Sequence, residues 1–320
     1  MNASEATPPT IDSRNDLSPL FQTHRPAPSS SYAPYAVQTL STVRRIGVMG
    51  DLHGDIEHAL QAFVTLADRG VHVILQLGDW GVLWPGRNWQ IDLNKVSRAL
   101  ARHQMTMFFV EGNHDWHPKL SEYPLDPDGV RWITANIAHL PRGYRTQIGG
   151  RFTLAALGGA NSIDRRLRKE GLSWWPEEQI SDSDLRRLGP QHVDVLAGHE
   201  APLMDEADLD RRAQELGFST DDIAYATGSR VMFRCAVLQT RPRLTLGGHY
   251  HRFYDQVLPL PGETPHPTRV VVLDMNGPRR VNLAILDTAT LDLEFLYRNG
   301  APAESTFSAP ERTADDRLGS

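Results

Sequence analysis

Short apolar runs alternate with helically spaced apolar residues in the first ordered part of the chain. The runs have the length of buried strands and are rich in β-branched and aromatic residues. The segments between them place apolar residues three and four positions apart, as helices do. The pattern therefore predicts strands at 45–49, 71–77 and 105–110, with helices at 56–68 and 92–103. This β-α-β-α-β order indicates a parallel sheet with helices packed on it.

The rest of the chain mixes strands and helices. Further strands are predicted at 129–134, 144–148, 152–157, 193–197, 244–246, 269–274, 281–286 and 291–296. Helices are predicted at 231–239 and at 176–188, where Pro176 suits the first turn. Residues 1–42 are rich in Pro, Ser, Thr and Ala, so we expect a disordered or loosely packed arm there. The predicted domain spans 43–300, with an acidic helical insertion at about 201–226, and a flexible tail covers 301–320.

Composition and charge limit the classes of function. The 320-residue chain carries a formal net charge of −6, which gives no broad positive field for nucleic acid or anionic lipid. Cys235 is the single cysteine, so an internal disulfide is excluded. No secretory signal is visible, and no apolar run reaches the roughly 20 residues of a membrane helix. We therefore predict a cytoplasmic protein without a membrane or nucleic-acid partner; the sequence leaves its oligomeric state open.

Side chains that bind metal ions follow the predicted strands, often beside glycine. In open α/β sheets ligands bind at this carboxyl edge. Carboxylate, imidazole and amide oxygen suit Mn, Fe or Zn, whereas Ca and Mg prefer oxygen ligands alone. Seven ligands are too many for one ion but fit two ions that share a carboxylate. Such a pair can clamp a phosphoryl group and hold a bridging hydroxide as nucleophile. Alternatively, these side chains are buried and satisfy one another by hydrogen bonds without a metal ion. The seven candidate ligands are Asp51, His53, Asp79, Asn113, His199, His249 and His251.

The chain resembles the calcineurin-like metallophosphoesterase superfamily in the order of its motifs. These are Asp-x-His, Gly-Asp, Gly-Asn-His-Asp, Gly-His and Gly-His-x-His. The resemblance implies an α/β (α+β) fold, a four-layer αββα sandwich, and hydrolysis of a phosphoester. It implies two divalent ions, with Mn expected and Fe or Zn as alternatives. Asp79 would bridge them and take part in catalysis. One ion would be held by Asp51, His53, Asp79 and His251, and the other by Asp79, Asn113, His199 and His249.

The resemblance also implies a catalytic role for His114. This imidazole would stabilise the phosphoryl oxygens or protonate the leaving group near neutral pH. In protein Ser/Thr phosphatases a carboxylate orients the corresponding imidazole, but the spacing here offers no counterpart. Those enzymes also continue Gly-Asp with x-x-Asp-Arg-Gly, which is missing after Asp79, and they carry Glu where this chain has Asp115. A small-molecule or nucleotide ester is therefore favoured over a phosphoprotein.

Two alternatives to this function come from different classes. A metal-dependent nuclease would use the same chemistry, but it would need a basic groove, which the net charge does not supply. A non-catalytic metal-binding scaffold of the same fold is the other alternative. Such relatives usually lose ligands, whereas this chain keeps all seven.

Candidate substrate contacts follow the predicted strand at 152–157. A basic run there comprises Arg165, Arg166, Arg168 and Lys169. Its arginines, Arg165 or Arg166 first, could bind phosphate oxygens in bidentate fashion, although a solvated basic loop is the more usual role. Asn161 and the metal ligand Asn113 are further candidates for contact with the substrate. Three tryptophans after the second motif could stack a nucleobase or cover the core: Trp80, Trp84 and Trp89.

Overall fold

The computed structural model describes residues 38–86, 88–202, 206–262 and 267–305. Most of the predicted arm (1–37) and of the predicted tail (306–320) lies outside the described residues. Leu40 lies within the predicted arm, yet it is 2% exposed and belongs to the core. The packed domain therefore begins before residue 43. Pro302–Ala303, predicted as part of a flexible tail, pairs as a strand instead.

Fourteen strands and six α-helices lie within the described residues. The strands are β1 Arg45–Met49, β2 Val73–Gln76, β3 Thr106–Phe109, β4 Arg131–Thr134, β5 Ile137–His139, β6 Arg145–Ile148, β7 Phe152–Leu157, β8 Val195–Gly198, β9 Leu244–Gly247, β10 Tyr254–Leu258, β11 Thr268–Val272, β12 Leu283–Asp287, β13 Leu293–Leu296 and β14 Pro302–Ala303. The helices are α1 Ile56–Ala67, α2 Trp89–Arg102, α3 His117–Glu122, α4 Asp182–Leu188, α5 Glu206–Glu215 and α6 Thr220–Thr240.

The strands form two sheets. The first has the order β14-β13-β12-β1-β2-β3-β5-β4, and the second has the order β10-β11-β9-β8-β7-β6. In the first sheet β1, β2, β3 and β5 run parallel, and β12 joins β1 antiparallel. In the second, β7, β8, β9 and β11 run parallel. The carboxyl ends of each parallel group therefore meet at one edge, as the predicted β-α-β-α-β unit requires.

Three hydrophobic clusters separate four layers. The first cluster lies between the sheets and includes Val48. Because successive side chains of a strand point to opposite faces, Met49 packs instead with Phe63 of α1 in the second cluster. On the outer face of the other sheet, Leu196 packs with Phe233 of α6. The order is helix, sheet, sheet, helix, so the expected αββα sandwich is confirmed.

Polar caps decide where several helices begin. Asp55 accepts a hydrogen bond from His58 N at 2.9 Å and caps α1. Ser181 and Ser219 form capping boxes at α4 and α6, which satisfy backbone donors that would otherwise lack partners.

Two predicted helices differ from the structure for this reason. The first half of the predicted helix at 176–188 is wrong: Pro176–Glu178 is a 3-10 turn, and the α-helix starts only after the Ser181 cap. The helix predicted at 231–239 starts at Thr220, after the cap at Ser219, so the last part of the predicted acidic insertion is the start of α6. No helix among the described residues is long and apolar enough to cross a lipid bilayer.

Candidate metal centre

Four predicted ligands meet where the loops after β1, β2 and β9 converge. Asp51, His53, Asp79 and His251 each offer one ligand atom, and these atoms all lie within 4.8 Å of one another. His53 Nε2 lies 2.9 Å from His251 Nε2 and 3.8 Å from Asp79 Oδ2. His251 Nε2 lies 3.3 Å from Asp51 Oδ2. One metal ion can be held by this group.

The remaining predicted ligands lie on the other side of Asp79. His199 Nε2 is 3.3 Å from Asp79 Oδ1 and 3.2 Å from Asn113 Oδ1. Its Nδ1 is fixed by the carbonyl oxygen of Leu77 at 2.7 Å, so Nε2 faces the other ligands. The ring of His249 lies 5.1 Å from the ring of His199, measured between centroids.

Backbone strain is concentrated in these loops. Four of the seven predicted ligands have positive φ angles, namely His53 (46°), Asp79 (52°), His249 (72°) and His251 (53°). This left-handed region is sparsely populated by non-glycine residues and costs on the order of 1–3 kcal/mol for each. The fold therefore holds these side chains in place against a local preference for other conformations.

Two glycines make room for the ligand carboxylates. A Cβ atom at Gly112 would overlap the Asp79 carboxylate, and one at Gly248 would overlap the Asp51 carboxylate. Asp115 ties the same loops together, because its carboxylate accepts hydrogen bonds from Gly112 N at 2.8 Å and Gly81 N at 3.0 Å. The Asp115 carboxylate thus holds together the backbone of the loops that follow β2 and β3.

The donor set has the chemistry of a divalent-cation site. Asp51 and Asp79 are 0% and 1% exposed, and within the described ranges neither carboxylate pairs with Lys or Arg. Burial alone would lower the pKa of His199, but Asp79 and Asp51 raise it to about 10. Without a metal, protonated His199 balances part of this buried negative charge, and a divalent cation can supply the positive charge in its place. The residues present therefore fit metal ions.

The imidazole of His114 stands at the mouth of this cluster. Its backbone N–H donates to Asp79 Oδ1 at 2.6 Å. Its ring lies 4.9 Å from the ring of His53 and 6.0 Å from that of Trp84, with which it is stacked. Arg168 Nη2 contacts His114 Nε2, and Nη1 lies 3.4 Å from Nδ1. Burial lowers the pKa of His114 to about 4; Asp79 opposes this effect and Arg168 reinforces it. An aromatic ring and a guanidinium hold this imidazole.

A chain of buried hydrogen bonds orients the predicted ligand Asn113. Its Nδ2 donates to Ser162 Oγ at 3.0 Å, and Ser162 Oγ donates to Glu178 Oε2 at 2.6 Å. Glu178 Oε1 accepts from Ser162 N at 2.7 Å and from the hydroxyl of Tyr225 at 3.0 Å. Because Nδ2 is occupied in this way, Oδ1 of Asn113 is turned toward His199 Nε2.

The predicted substrate contacts lie on the wall formed by the segment after β7. Arg166 is exposed and forms an ion pair with Asp222, with 2.7 Å between Nε and Oδ1. The guanidinium of Arg165 lies over the ring of Tyr225, 4.1 Å from its centroid. Asn161 is buried and donates from Nδ2 to the carbonyl oxygen of Tyr225 at 2.6 Å. A role in substrate binding stays a prediction for these three residues.

Ser162 and Glu178 of this wall were missed as functional candidates, and Arg168 was included only as a less favoured member of the basic run that begins at Arg165. Ser162, Glu178 and Arg168 contact Asn113 or His114 directly or through one hydrogen bond. The sequence signal for Ser162 is the run Gly-Gly-Ala-Asn-Ser after β7, which resembles the turns with predicted ligands after other strands. Of the tryptophans, Trp80 is 1% exposed and packs on Phe109 in the core, which favours its role as core cover.

Comparison with known proteins agrees with this architecture. The family model for calcineurin-like phosphoesterases matches residues 44–253. The crystal structure of TT1561 of Thermus thermophilus is similar at a TM-score of 0.50 and 18% identity, covering 80% of this chain and 100% of that chain. A dimetal phosphatase from Danio rerio has a TM-score of 0.46 at 12% identity, covering 80% of this chain and 94% of that chain. No relative is found among curated protein sequences. The chain belongs to the calcineurin-like phosphoesterase family and is a hydrolase of phosphoester bonds.

Proposed function

We propose that the protein is a dinuclear metal-dependent phosphoesterase that acts on a small-molecule or nucleotide ester. The observation that supports this most directly is the convergence of Asp51, His53, Asp79 and His251 within 4.8 Å. One ion would be held by these four side chains. A second would be held by Asp79, Asn113, His199 and His249, with Asp79 shared between the two.

Mn is the metal that we expect, with Fe or Zn as alternatives, because the ligands combine imidazole with carboxylate and amide oxygen. When bound, a metal pair polarises a phosphoryl group and lowers the pKa of water so that it becomes a nucleophile. Ligand orientation comes from the protein, since the carbonyl of Leu77 fixes the His199 ring and Ser162 fixes the Asn113 amide.

We assign to His114 the contact with the phosphoryl group. Its backbone is anchored on Asp79, and its ring stands between His53 and Trp84. In the free site burial lowers its pKa to about 4, so the ring is neutral at neutral pH. A neutral imidazole can donate one hydrogen bond to a phosphoryl oxygen.

The substrate class rests on charge and on the wall of the site. The net charge of −6 disfavours a polyanionic substrate such as DNA. Trp84 lies next to His114 and contacts Trp175 edge-on at 5.2 Å, which provides an aromatic surface beside the reacting group. We further propose that Arg165, Arg166 and Asn161 contact the substrate and that the protein acts in the cytoplasm.

The decisive experiment compares p-nitrophenyl phosphate with bis-p-nitrophenyl phosphate. Metal-stripped protein is reloaded with Mn, and bound metal is counted by calorimetry. We expect two equivalents per chain and turnover of at least one ester. Asp79→Asn should lose both metal and turnover, and His114→Ala should keep the metal but lose most turnover. Asp68→Asn, which changes an exposed aspartate after α1, is the matched control.

Different outcomes reject different parts of the proposal. One equivalent of metal would reject the dinuclear centre. Two equivalents without turnover of either ester would favour the scaffold alternative for simple esters. DNA affinity that falls steeply with salt would favour the nuclease alternative.

A further inference from the structure

The guanidinium of Arg168 is a largely buried cation at the mouth of the candidate metal centre. Its side chain is 9% exposed, and its Nε pairs with Asp164 Oδ1 at 2.7 Å. Both Nη nitrogens contact the ring of His114. The arginine is therefore held by one carboxylate at Nε and turned toward the site at its other end.

The contact with His114 leaves hydrogen-bond donors to spare. The two Nη groups carry four N–H bonds, whereas a neutral imidazole has one lone pair and a protonated one has none. His114 can therefore accept at most one of these hydrogen bonds. A guanidinium cannot deprotonate to relieve the mismatch. The remaining donors suit an anionic oxygen, which arginine binds strongly when it is shielded from water.

The position of Arg168 connects these donors to the metal ligands. His114 donates its backbone N–H to Asp79 and places its ring 4.9 Å from that of His53. Arg168 is thus separated from the ligand cluster by a single imidazole. A phosphate that is held at the cluster and touches His114 would be one side chain away from the Arg168 guanidinium.

We propose that Arg168, positioned by Asp164, forms with His114 a subsite for a terminal phosphoryl oxygen, and that this subsite selects phosphomonoesters over phosphodiesters. The proposal rests on the proposed function. A monoester carries a charge near −2 and three terminal oxygens. A diester has two terminal oxygens that share one negative charge, and its second substituent replaces the third oxygen. A cation outside the metal cluster therefore gains more from the monoester.

The test compares Arg168→Gln with the wild-type, Mn-loaded protein on both p-nitrophenyl esters. We expect kcat/KM for the monoester to fall on the order of 10- to 100-fold, the range for loss of a charged hydrogen bond. The value of kcat/KM for the diester should fall much less. Arg168→Lys should recover part of the monoester rate, because it restores the charge without the planar fork. Metal content should stay at the wild-type value.

Two further variants guard against general effects of removing an arginine. Arg44→Gln removes an exposed arginine paired with Asp287 before β1, at the opposite end of the strand from Asp51. It should leave both activities unchanged. Arg166→Gln tests the exposed arginine of the same loop, and a larger monoester loss there than in Arg168→Gln would overturn the proposal.

A binding measurement separates this subsite from the proposed function. Inorganic phosphate is titrated into Mn-loaded wild type, Arg168→Gln and Arg168→Lys by calorimetry. A 10- to 100-fold weaker affinity in Arg168→Gln supports the subsite even if neither ester is hydrolysed. Unchanged phosphate affinity, or equal losses on the two esters, would overturn it. If Arg168→Gln does not fold, the lysine variant decides: a larger loss of kcat/KM on the monoester than on the diester supports the subsite, and equal losses or none would overturn it.

Discussion

Removal of the Ser162 hydroxyl should weaken one metal position and spare the other. Ser162 is 1% exposed, and its Oγ accepts from Asn113 Nδ2 at 3.0 Å while donating to Glu178 Oε2 at 2.6 Å. Ser162→Ala deletes both hydrogen bonds and leaves the Asn113 amide free to turn its nitrogen toward His199. Asp51, His53 and His251 have no hydrogen bond to Ser162 among those of the described residues.

The size of the effect follows from the burial of these groups. A buried donor left without its partner costs about 1–3 kcal/mol. Loss of a residue that orients a metal ligand typically weakens metal binding about 10- to 100-fold, and each factor of ten equals about 1.4 kcal/mol. The two ranges agree, so we expect one Mn equivalent to bind about 10- to 100-fold more weakly.

The assay is a stepwise Mn titration of metal-stripped protein by calorimetry, with thermal unfolding of the metal-free protein recorded in parallel. Ser183→Ala is the matched control, because Ser183 is exposed and its hydroxyl contacts only Ser181 among the hydrogen bonds seen in this part of the chain. Two unchanged affinities in Ser162→Ala would refute the reasoning. Equal weakening of both equivalents would show that the serine supports the fold of the centre as a whole.

Three further predictions concern stability. Burial lowers the pKa of His58, whose Nδ1 accepts a hydrogen bond from Gly277 N at 3.3 Å. Because the folded state favours the neutral ring, the free energy of unfolding should decrease as pH falls through the unfolded pKa of about 6.5. Urea unfolding at several pH values should show a shallower dependence in His58→Gln. Phe233→Ala removes a fully buried ring of α6 and should cost about 3–5 kcal/mol in urea unfolding, whereas Leu238→Ala, 36% exposed on the same helix, should cost far less. Chelation of metal should lower the melting temperature by roughly 5–10 °C, because a ligand at 100 times its Kd adds about 2.7 kcal/mol to the free energy of unfolding. The melting temperature of Asp79→Asn should not change on chelation.

The first half of the sheet scaffold was predictable because its pattern is local. Strand β1 was predicted with its observed bounds, and α1 within one residue. Apolar runs bounded by glycine carry enough information for buried parallel strands, since both faces of each strand are covered. The convergence of the predicted ligands could be anticipated for the same reason, because these residues directly follow the ends of the strands.

Less of the chain after β3 could be predicted. Strands β5, β10 and β14 and helix α3 were missed. Strand β10 is an edge strand with an irregular burial pattern, and β14 has two residues. The 3-10 turn at Pro176 and the long helix α6 depend on which serine caps a helix, and a capping serine is hard to distinguish from other serines by pattern alone.

The wall of the candidate site shows a limit of another kind. Its contacts join residues that are far apart in the chain: Arg168 meets His114 across 54 residues, and Asn161 meets Tyr225 across 64. Neighbouring arginines of one basic loop look alike in sequence, yet Arg166 pairs with Asp222 at the surface while Arg168 turns inward to the imidazole. Only the packing of α6 against the segment after β7 decides between them. The predicted ligands are thus placed by strand ends, whereas we expect the choice of substrate to depend on contacts between two segments that no local pattern encodes. Changes in substrate preference should therefore come from substitutions in that segment and in the first half of α6, with the metal ligands unchanged.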